Sequence, residues 1–190
     1  MNILIVTAHP SKFGDTHIIA KTYADAKKSK GHTVEIVDLY AKSCADDLLC
    51  FERIREMPIG KVQQKFHEQI LWAHEIVVVH PIWWSMPPAI MKNWVDMTFW
   101  SGVAYKYMPD GKVSKMLKGK TAKMFATSGG KSWYYHFYFL PLLSFWKIAV
   151  FYFSGIELID FKICGKMDIL QGEDRARHLQ KFLAKVKASA

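Results

Sequence analysis

The chain is poor in cysteine and shows no targeting segment. Its three cysteines, Cys44, Cys50 and Cys164, form no C-x-x-C pair, and any disulfide scheme leaves one of them over. The N-terminus opens on apolar residues and lacks the charged region and cleavage site of a signal peptide. These features predict a protein of the reducing cytoplasm.

Common nucleotide-binding motifs are missing as well. The sequence contains neither G-x-G-x-x-G nor G-x-x-x-x-G-K-[ST], which argues against a Rossmann dinucleotide site and against a P-loop. Internal repeats, low-complexity tracts and linkers are also missing, so we expect residues 1–190 to form a single domain. No metal site is predicted.

Positive charge is in excess, with Lys+Arg 26 against Asp+Glu 17 and a formal net charge of +9. The basic residues are scattered and no nucleic-acid-binding motif accompanies them. We therefore expect a solvated surface that favours anionic cofactors, and no nucleic-acid partner. The apolar stretch 134–153 is interrupted by His136, Pro141 and Lys147, which favours a buried helix or a subunit interface over a membrane span.

Apolar runs and helical periodicities alternate along the chain. The predicted strands cover residues 2–8, 33–39, 75–79, 121–127 and 156–163, and the predicted helices cover residues 16–28, 61–73, 89–100, 140–153 and 173–186. Five strands separated by helices predict an α/β fold with a parallel sheet covered on both faces. The long irregular connection 40–60 is predicted to be a functional or subunit-contacting loop.

Three loops follow predicted strands, at the edge where open α/β sheets bind ligands. In the first, residues 8–17, Thr16 can cap the next helix, whose free N–H groups suit a phosphate. His9 can hydrogen-bond a phosphate or a ribose, and Lys12 adds positive charge. An ordinary helix cap beside a surface histidine is the alternative.

The second loop, within residues 80–92, carries the most distinctive tract. Trp83 and Trp84 lie between a buried strand and a helix that begins after two prolines. Their rings offer a flat wall for a planar aromatic cofactor, and the backbone N–H groups of residues 82–85 are predicted to be free for the polar edge of a ligand ring. Burial of both tryptophans in the core is the alternative.

The third loop contains two hydroxyl residues, Thr127 and Ser128, followed by two glycines, Gly129 and Gly130. Paired glycines at a strand end predict that the backbone closely approaches another group there. A plain turn would use the same glycines, but an aromatic run follows these ones.

Together these motifs resemble a known family. His9-Pro10, residues 81–92 and residues 127–130 are similar to those of the flavodoxin-like NAD(P)H:quinone oxidoreductases, the NAD(P)H dehydrogenase (quinone) or DT-diaphorase group, in their smaller bacterial form. Residues 102–105 and 117–120 extend the similarity over nearly the whole chain. The resemblance implies a flavodoxin-like three-layer sandwich of strand order 2-1-3-4-5, and a homodimer.

The resemblance also implies an activity. NAD(P)H would transfer hydride to a non-covalently bound flavin, and a quinone or similar planar acceptor would then take both electrons in a ping-pong cycle. FAD is favoured over FMN, while the choice between NADH and NADPH stays open. The alternatives are a flavodoxin-like electron carrier, disfavoured because such carriers are acidic, and an ancillary regulatory subunit of a potassium-efflux system, docked on a membrane protein.

By position, the resemblance assigns roles to individual residues. The first loop would hold the phosphate end of the flavin, the second would line its isoalloxazine ring, and the third would contact its polar edge. The residues so assigned are His9, Thr16, His17, Ile18, Pro81, Ile82, Trp83, Trp84, Ser85, Thr127, Ser128, Gly129 and Gly130. Tyr135 matches the family's catalytic tyrosine; the matching histidine position falls on Pro141, and His136 is the candidate replacement.

Overall fold

A computed structural model describes residues 1–44, 48–49, 51–53, 57–137 and 140–190, without the side chains of Ser43, His136, Phe137 and Leu140. The strands are β1 (Asn2–Thr7), β2 (Thr33–Asp38), β3 (Glu75–Pro81), β4 (Tyr105–Tyr107), β5 (Val113–Lys115), β6 (Thr121–Thr127) and β7 (Glu157–Cys164). The helices are α1 (Asp15–Lys28), a 3-10 turn (Lys42–Cys44), α2 (Lys61–Trp72), α3 (Ala89–Thr98), α4 (Trp133–Phe137), α5 (Leu140–Ser144), a π-helix (Phe145–Tyr152) and α6 (Gly172–Ala188). Cys50 lies outside the described residues.

Five of the strands form one parallel sheet in the order β2-β1-β3-β6-β7. This order confirms the predicted 2-1-3-4-5 arrangement, because β4 and β5 form a separate antiparallel hairpin outside this sheet. The sequence did not predict that hairpin, since strands of three residues are too short to show a period of two.

The alternation of side chains along the central strands builds two hydrophobic cores, one on each face of the sheet. Leu4 of β1 and Ile76 of β3 face a core that includes residues of α2, α3 and the π-helix. Ile5 and Val77, one residue further along each strand, face a second core with α1 and α6. Strands buried on both faces explain the continuous apolar runs and give the predicted three layers.

The predicted helix 140–153 is divided into α5 and the π-helix. In a π-helix the backbone bonds join residues five apart, so Trp146 and Phe151 come to one face. Both are buried and their rings stack with centroids 5.3 Å apart, whereas Ile148 and Tyr152 are exposed. Among the described residues, no helix is long and apolar enough to cross a membrane.

A buried ionic cluster lies at the amino ends of the strands, opposite the three loops. The Glu75 carboxylate at the start of β3 accepts a hydrogen bond from the Tyr23 hydroxyl at 2.7 Å. The ammonium groups of Lys27 and Lys123 lie 3.1 and 3.8 Å from its two oxygens. Burial, followed by the hydrogen bond to Glu75, raises the pKa of Tyr23, which therefore stays protonated and satisfies the carboxylate.

Candidate active site

The three loops begin side by side at the carboxyl edge of the sheet. The Ala8 N–H donates to the Val79 carbonyl at 3.1 Å, which joins the first loop to the end of β3. The Ile82 N–H donates to the Thr127 carbonyl at 2.8 Å, which joins the second loop to the third. The sheet order therefore brings together the segments that the sequence predicted as one site.

In the first loop, the prediction that Thr16 caps α1 is wrong. The helix begins one residue earlier, at Asp15, and the extended residue before it is Gly14, which makes no side-chain cap. Glycine lets the chain pack closely on His9 there, because a Cβ atom would lie 2.6 Å from Cγ of the His9 ring and the ring would have to move. The His9 Nδ1 lies 3.1 Å from both the backbone nitrogen and the carbonyl oxygen of Ser11, so the ring is held against the loop by the Ser11 backbone.

Displaced from the cap position, Thr16 lies in the first turn of α1 with its hydroxyl buried. Neither this hydroxyl nor the buried Nε2 of His17 has a hydrogen-bond partner within the described part of the chain. Unpaired buried polar atoms cost free energy and are rare in folded proteins. Two of them in consecutive residues at the N-terminus of a helix form an environment suited to an anion. Ile18, the next residue, is exposed.

The second loop is a tight and strained turn. Trp83 and Met86 exchange both backbone hydrogen bonds at 3.0 Å, and the two residues between them, Trp84 and Ser85, have φ angles of 51° and 63°. Positive φ at both central positions is typical of a hairpin turn that normally uses Asn or Gly. A bulky tryptophan in this conformation is strained by about 1 kcal/mol, and such strain persists mostly at functional sites.

The orientation of this turn excludes the core alternative for its tryptophans. Trp84 is 99% exposed and Trp83 is 43% exposed, whereas Pro81 and Ile82 are buried beneath them. The prediction that residues 82–85 all keep free N–H groups is wrong for Ile82 and Trp83, which donate to Thr127 and Met86. In the described structure, the N–H groups of Trp84 and Ser85 remain without a protein partner.

The third loop is held by contacts that the sequence did not predict. Ser128 donates its N–H to the Cys164 carbonyl at 3.0 Å, and its hydroxyl lies 3.2 Å from the Gly130 carbonyl. Thr127 and Ser128 are buried. A Cβ atom on Gly129 would lie 2.9 Å from Cγ of Asp168, so the first of the paired glycines provides the predicted close approach.

The aromatic run after the glycines folds back over them. Tyr135 lies in α4, half-buried, and a Cβ atom on Gly130 would be 4.0 Å from its hydroxyl oxygen. The structure therefore brings the predicted catalytic tyrosine to the third loop. His136 also belongs to α4, but its side chain lies outside the described part of the structure, so its role stays a prediction.

Two apolar cavities lie beside α3. One of about 560 Å³ is bounded by α3 and the π-helix, and a second of about 690 Å³ shares Trp100 and Tyr105 with it. Residues from the long connection 40–60 contribute to both, Leu49 and Phe51 to the first and Met57 and Ile59 to the second. The described part of this connection therefore lines both cavities, and a functional or subunit-contacting role for it stays a prediction.

Comparison with known proteins places this architecture in a family. A family model described as having the flavodoxin-like fold matches residues 1–190. The chain belongs to this flavodoxin-like family. An NAD(P)H oxidoreductase of Haemophilus influenzae, itself uncharacterized, is 31% identical over 198 residues, covering 100% of this chain and 95% of the relative. An FMN-dependent NADH:quinone oxidoreductase of Clostridium beijerinckii is 31% identical, covering 96% and 93%.

Solved structures of flavodoxin-like proteins agree with the fold. Smu.1420 of Streptococcus mutans superposes with a TM-score of 0.83 at 26% identity, covering 99% of this chain and 100% of its own. An FMN-dependent NADH-azoreductase of Bacillus anthracis, solved in complex with FMN, superposes with a TM-score of 0.80 at 19% identity, covering 100% and 97%. The predicted family resemblance is confirmed.

This flavodoxin-like protein also carries a buried histidine that sequence reasoning did not assign to the site. His80, just before the second loop, donates from Nδ1 to the Pro81 carbonyl at 2.8 Å, and its Nε2 accepts the Trp146 indole N–H at 3.0 Å. Burial lowers the pKa of His80 to about 4, against a smaller opposing effect of the Pro81 hydrogen bond. The neutral ring thus ties the second loop to the π-helix. In the sequence, the signal that could have identified it is the position of His80 directly after the apolar run 76–79.

A second missed feature joins the first turns of α1 and α6. Arg175 forms an ion pair with Asp15 and donates from Nε to the Met167 carbonyl at 3.1 Å. Met167 in turn donates its N–H to Ser128 at 3.0 Å. This chain of contacts connects the first loop to the third, and it neutralises the carboxylate next to Thr16. Asp15 and Arg175 are 160 positions apart, so no local sequence pattern predicts their ion pair.

Proposed function

We propose that this protein is a flavin-dependent NAD(P)H:quinone oxidoreductase that uses FMN. The proposal depends most on two buried atoms, Thr16 Oγ1 and His17 Nε2, which have no hydrogen-bond partner in the part of the chain that the structure describes, together with the strained aromatic turn. The FMN-dependent relatives support FMN in place of FAD, which the family resemblance had favoured. The same family names support a quinone or similar planar molecule as the acceptor.

The first loop would bind the terminal phosphate. The Thr16 hydroxyl and the His17 Nε2, each without a hydrogen-bond partner among the described residues, would donate to phosphate oxygens together with backbone N–H groups at the start of α1. His9, whose Nδ1 contacts the Ser11 backbone, would face the same phosphate with its Nε2. Because Arg175 pairs with Asp15, the neighbouring carboxylate would not repel the phosphate dianion.

The second and third loops would hold the planar ring. Pro81 and Ile82 would support it from below, the exposed Trp84 ring would cover its edge, and Ser85 would offer an unpaired N–H. Thr127 to Gly130 would contact the polar edge, where the glycines allow close backbone approach. A bound flavin would supply the two-electron redox chemistry. The protein's own task would be to position the flavin, orient the substrate on it and exclude water.

Replacing Thr16 with Val should separate binding from folding. Valine has the same shape, so the buried site stays filled, and removing an unpartnered hydroxyl should leave the free energy of unfolding equal or raise it by up to about 1 kcal/mol. Loss of one donor to a phosphate should weaken FMN binding about tenfold. Flavin fluorescence titration measures the affinity, and thermal unfolding of the flavin-free protein measures the stability.

The matched control for this variant is Thr22→Val, on the same helix. The Thr22 hydroxyl donates to the Ile18 carbonyl at 2.8 Å, away from the loops. FMN affinity should be unchanged in this control. Equal FMN affinities for the wild-type protein and Thr16→Val would remove Thr16 from the proposed phosphate site.

Tyr135 is proposed to act as the hydrogen-bond donor to the acceptor. Its hydroxyl lies over Gly130, where it can donate to the oxygen of a quinone as negative charge develops there. Tyr135→Phe should slow the oxidation of reduced flavin by a quinone at least about tenfold, measured by stopped-flow mixing. Tyr134→Phe, one residue earlier in α4, is the control, and equal rates in the two variants would contradict this role.

An anaerobic titration tests the activity itself. The FMN-reconstituted protein is mixed with NADPH or NADH and then with a quinone, while the visible flavin bands are followed. Bleaching by a reduced nicotinamide and full recovery with one equivalent of quinone are expected. A protein that takes up no FMN, or whose flavin is not bleached by either nicotinamide, would overturn the proposal.

The homodimer and the cytoplasmic location predicted from the sequence stay proposals. Sedimentation of the FMN-loaded protein would measure the first, and fractionation of cells the second. A membrane-protein partner remains the alternative proposal, for which co-purification is the measurement.

A further inference from the structure

A third cavity, of about 460 Å³, lies between the third loop, the end of β7 and α6. Three lysines and a histidine bring polar groups to it, and Ile163 and Phe182 supply an apolar wall. Its polar lining consists of Ser132, Gly165, Lys166, His178, Lys181 and Lys185. None of these residues has a role in the activity proposed above.

The charge of this cavity is uncompensated. No carboxylate lines it, and within the described chain Lys166, Lys181 and Lys185 form no ion pair. Lysines elsewhere do pair, as Lys92 does with Asp96 and Lys162 with Asp160. All three lysines are solvent-exposed residues that line one concave surface; like charges there repel each other, and a bound anion would relieve that repulsion.

The wall of the cavity is fixed to the third loop by backbone contacts. The Lys166 N–H donates to the Gly130 carbonyl at 2.6 Å, and Lys166 adopts a positive φ of 64°, rare for a lysine. His178 donates from Nε2 to the Gly165 carbonyl at 2.9 Å. A ligand in the cavity would therefore be held at a fixed position relative to Gly130.

We propose that this cavity binds the 2′-phosphate of NADPH and so makes NADPH the preferred hydride donor. The inference rests on the proposed function, because it takes the third loop to contact the polar edge of the flavin. A donor whose nicotinamide lies on the ring can extend its adenosine end past Gly130 into the cavity. Lysine ammonium groups bind a phosphate dianion well, the apolar wall suits the adenosine, and only the 2′-phosphate separates NADPH from NADH.

Binding of 2′,5′-ADP, the phosphorylated end of NADPH alone, provides the direct test. Calorimetry on the FMN-loaded protein should show tighter binding of 2′,5′-ADP than of 5′-AMP or inorganic phosphate, weakening as salt increases. Lys181→Ala should reduce the 2′,5′-ADP affinity about tenfold, the value of one charge-assisted hydrogen bond. Lys187→Ala, an equal charge change on an exposed part of α6 away from the cavity, should leave it unchanged.

Kinetics with the two nicotinamides identify which proposal fails. The KM for NADPH should rise about tenfold in Lys181→Ala while the KM for NADH stays the same. Equal changes for both donors, or equal affinities for 2′,5′-ADP and 5′-AMP, would overturn the phosphate site. Binding of 2′,5′-ADP that depends on Lys181, without flavin reduction by either donor, would support the site and overturn the oxidoreductase instead.

Discussion

Between pH 6.5 and pH 4, the free energy of unfolding of the His80→Phe variant is expected to fall much less than that of the wild-type protein. Burial lowers the pKa of His80 from 6.5 to about 4. Below pH 6.5 the unfolded chain takes up a proton at His80 that the folded protein does not, so the free energy of unfolding falls with decreasing pH until about pH 4. The gap between the two pKa values corresponds to a decrease of about 3 kcal/mol in the free energy of unfolding. Phenylalanine carries no such proton.

Denaturant unfolding at several pH values measures this effect, taken as the difference between wild type and variant because carboxylates titrate in the same range. Trp146→Phe is the matched control. It removes the indole donor that His80 Nε2 accepts, but it leaves the histidine in place, so the pH dependence should persist. At pH 7 the free energy of unfolding of both variants should be lower than that of the wild-type protein by about 1–3 kcal/mol, since each substitution leaves a buried polar group unpaired. An identical pH dependence in His80→Phe and wild type would exclude the histidine as its source.

Replacing Gly165 with Ala should disrupt the third loop. A Cβ atom at this position would lie 2.5 Å from the Ser132 backbone nitrogen and 2.8 Å from the Gly130 carbonyl oxygen. Both obstacles are backbone atoms, so the loop must move away from β7 and no side-chain rotation can relieve the contact. We expect a loss of about 1–3 kcal/mol in the free energy of unfolding and FMN binding weakened at least about tenfold.

The neighbouring Gly130→Ala variant provides the steric control. Its Cβ atom would lie 3.9 Å from the Tyr134 ring and 4.0 Å from the Tyr135 hydroxyl, which is ordinary van der Waals contact. Its stability should therefore stay close to that of the wild-type protein. Flavin fluorescence titration and denaturant unfolding give both quantities. If Gly165→Ala were as stable as Gly130→Ala, the close packing of β7 on the third loop would be contradicted.

Sequence patterns anticipated the parallel sheet, the helices on both faces and the three loops that follow its strands. They also identified Gly129 as a point of close backbone approach. The errors concern details that depend on partners distant in sequence. Thr16 was expected to cap α1, but Gly14 takes that position because it packs on the His9 ring. The N–H groups of Ile82 and Trp83 were expected to be free, but cross-loop bonds occupy them.

What the sequence determined by itself is the fold and the meeting of the three loops. Continuous apolar runs require strands buried on both faces, and parallel strands place their following loops at one edge. Only the tertiary structure decided which polar atoms stay unpaired, because hydrogen-bond partners such as Trp146 for His80 lie on different elements. Periodicity is a local property that a single chain segment displays. The contacts of His80 with Trp146, of Gly165 with the third loop and of Arg175 with Asp15 exist only once distant segments pack together.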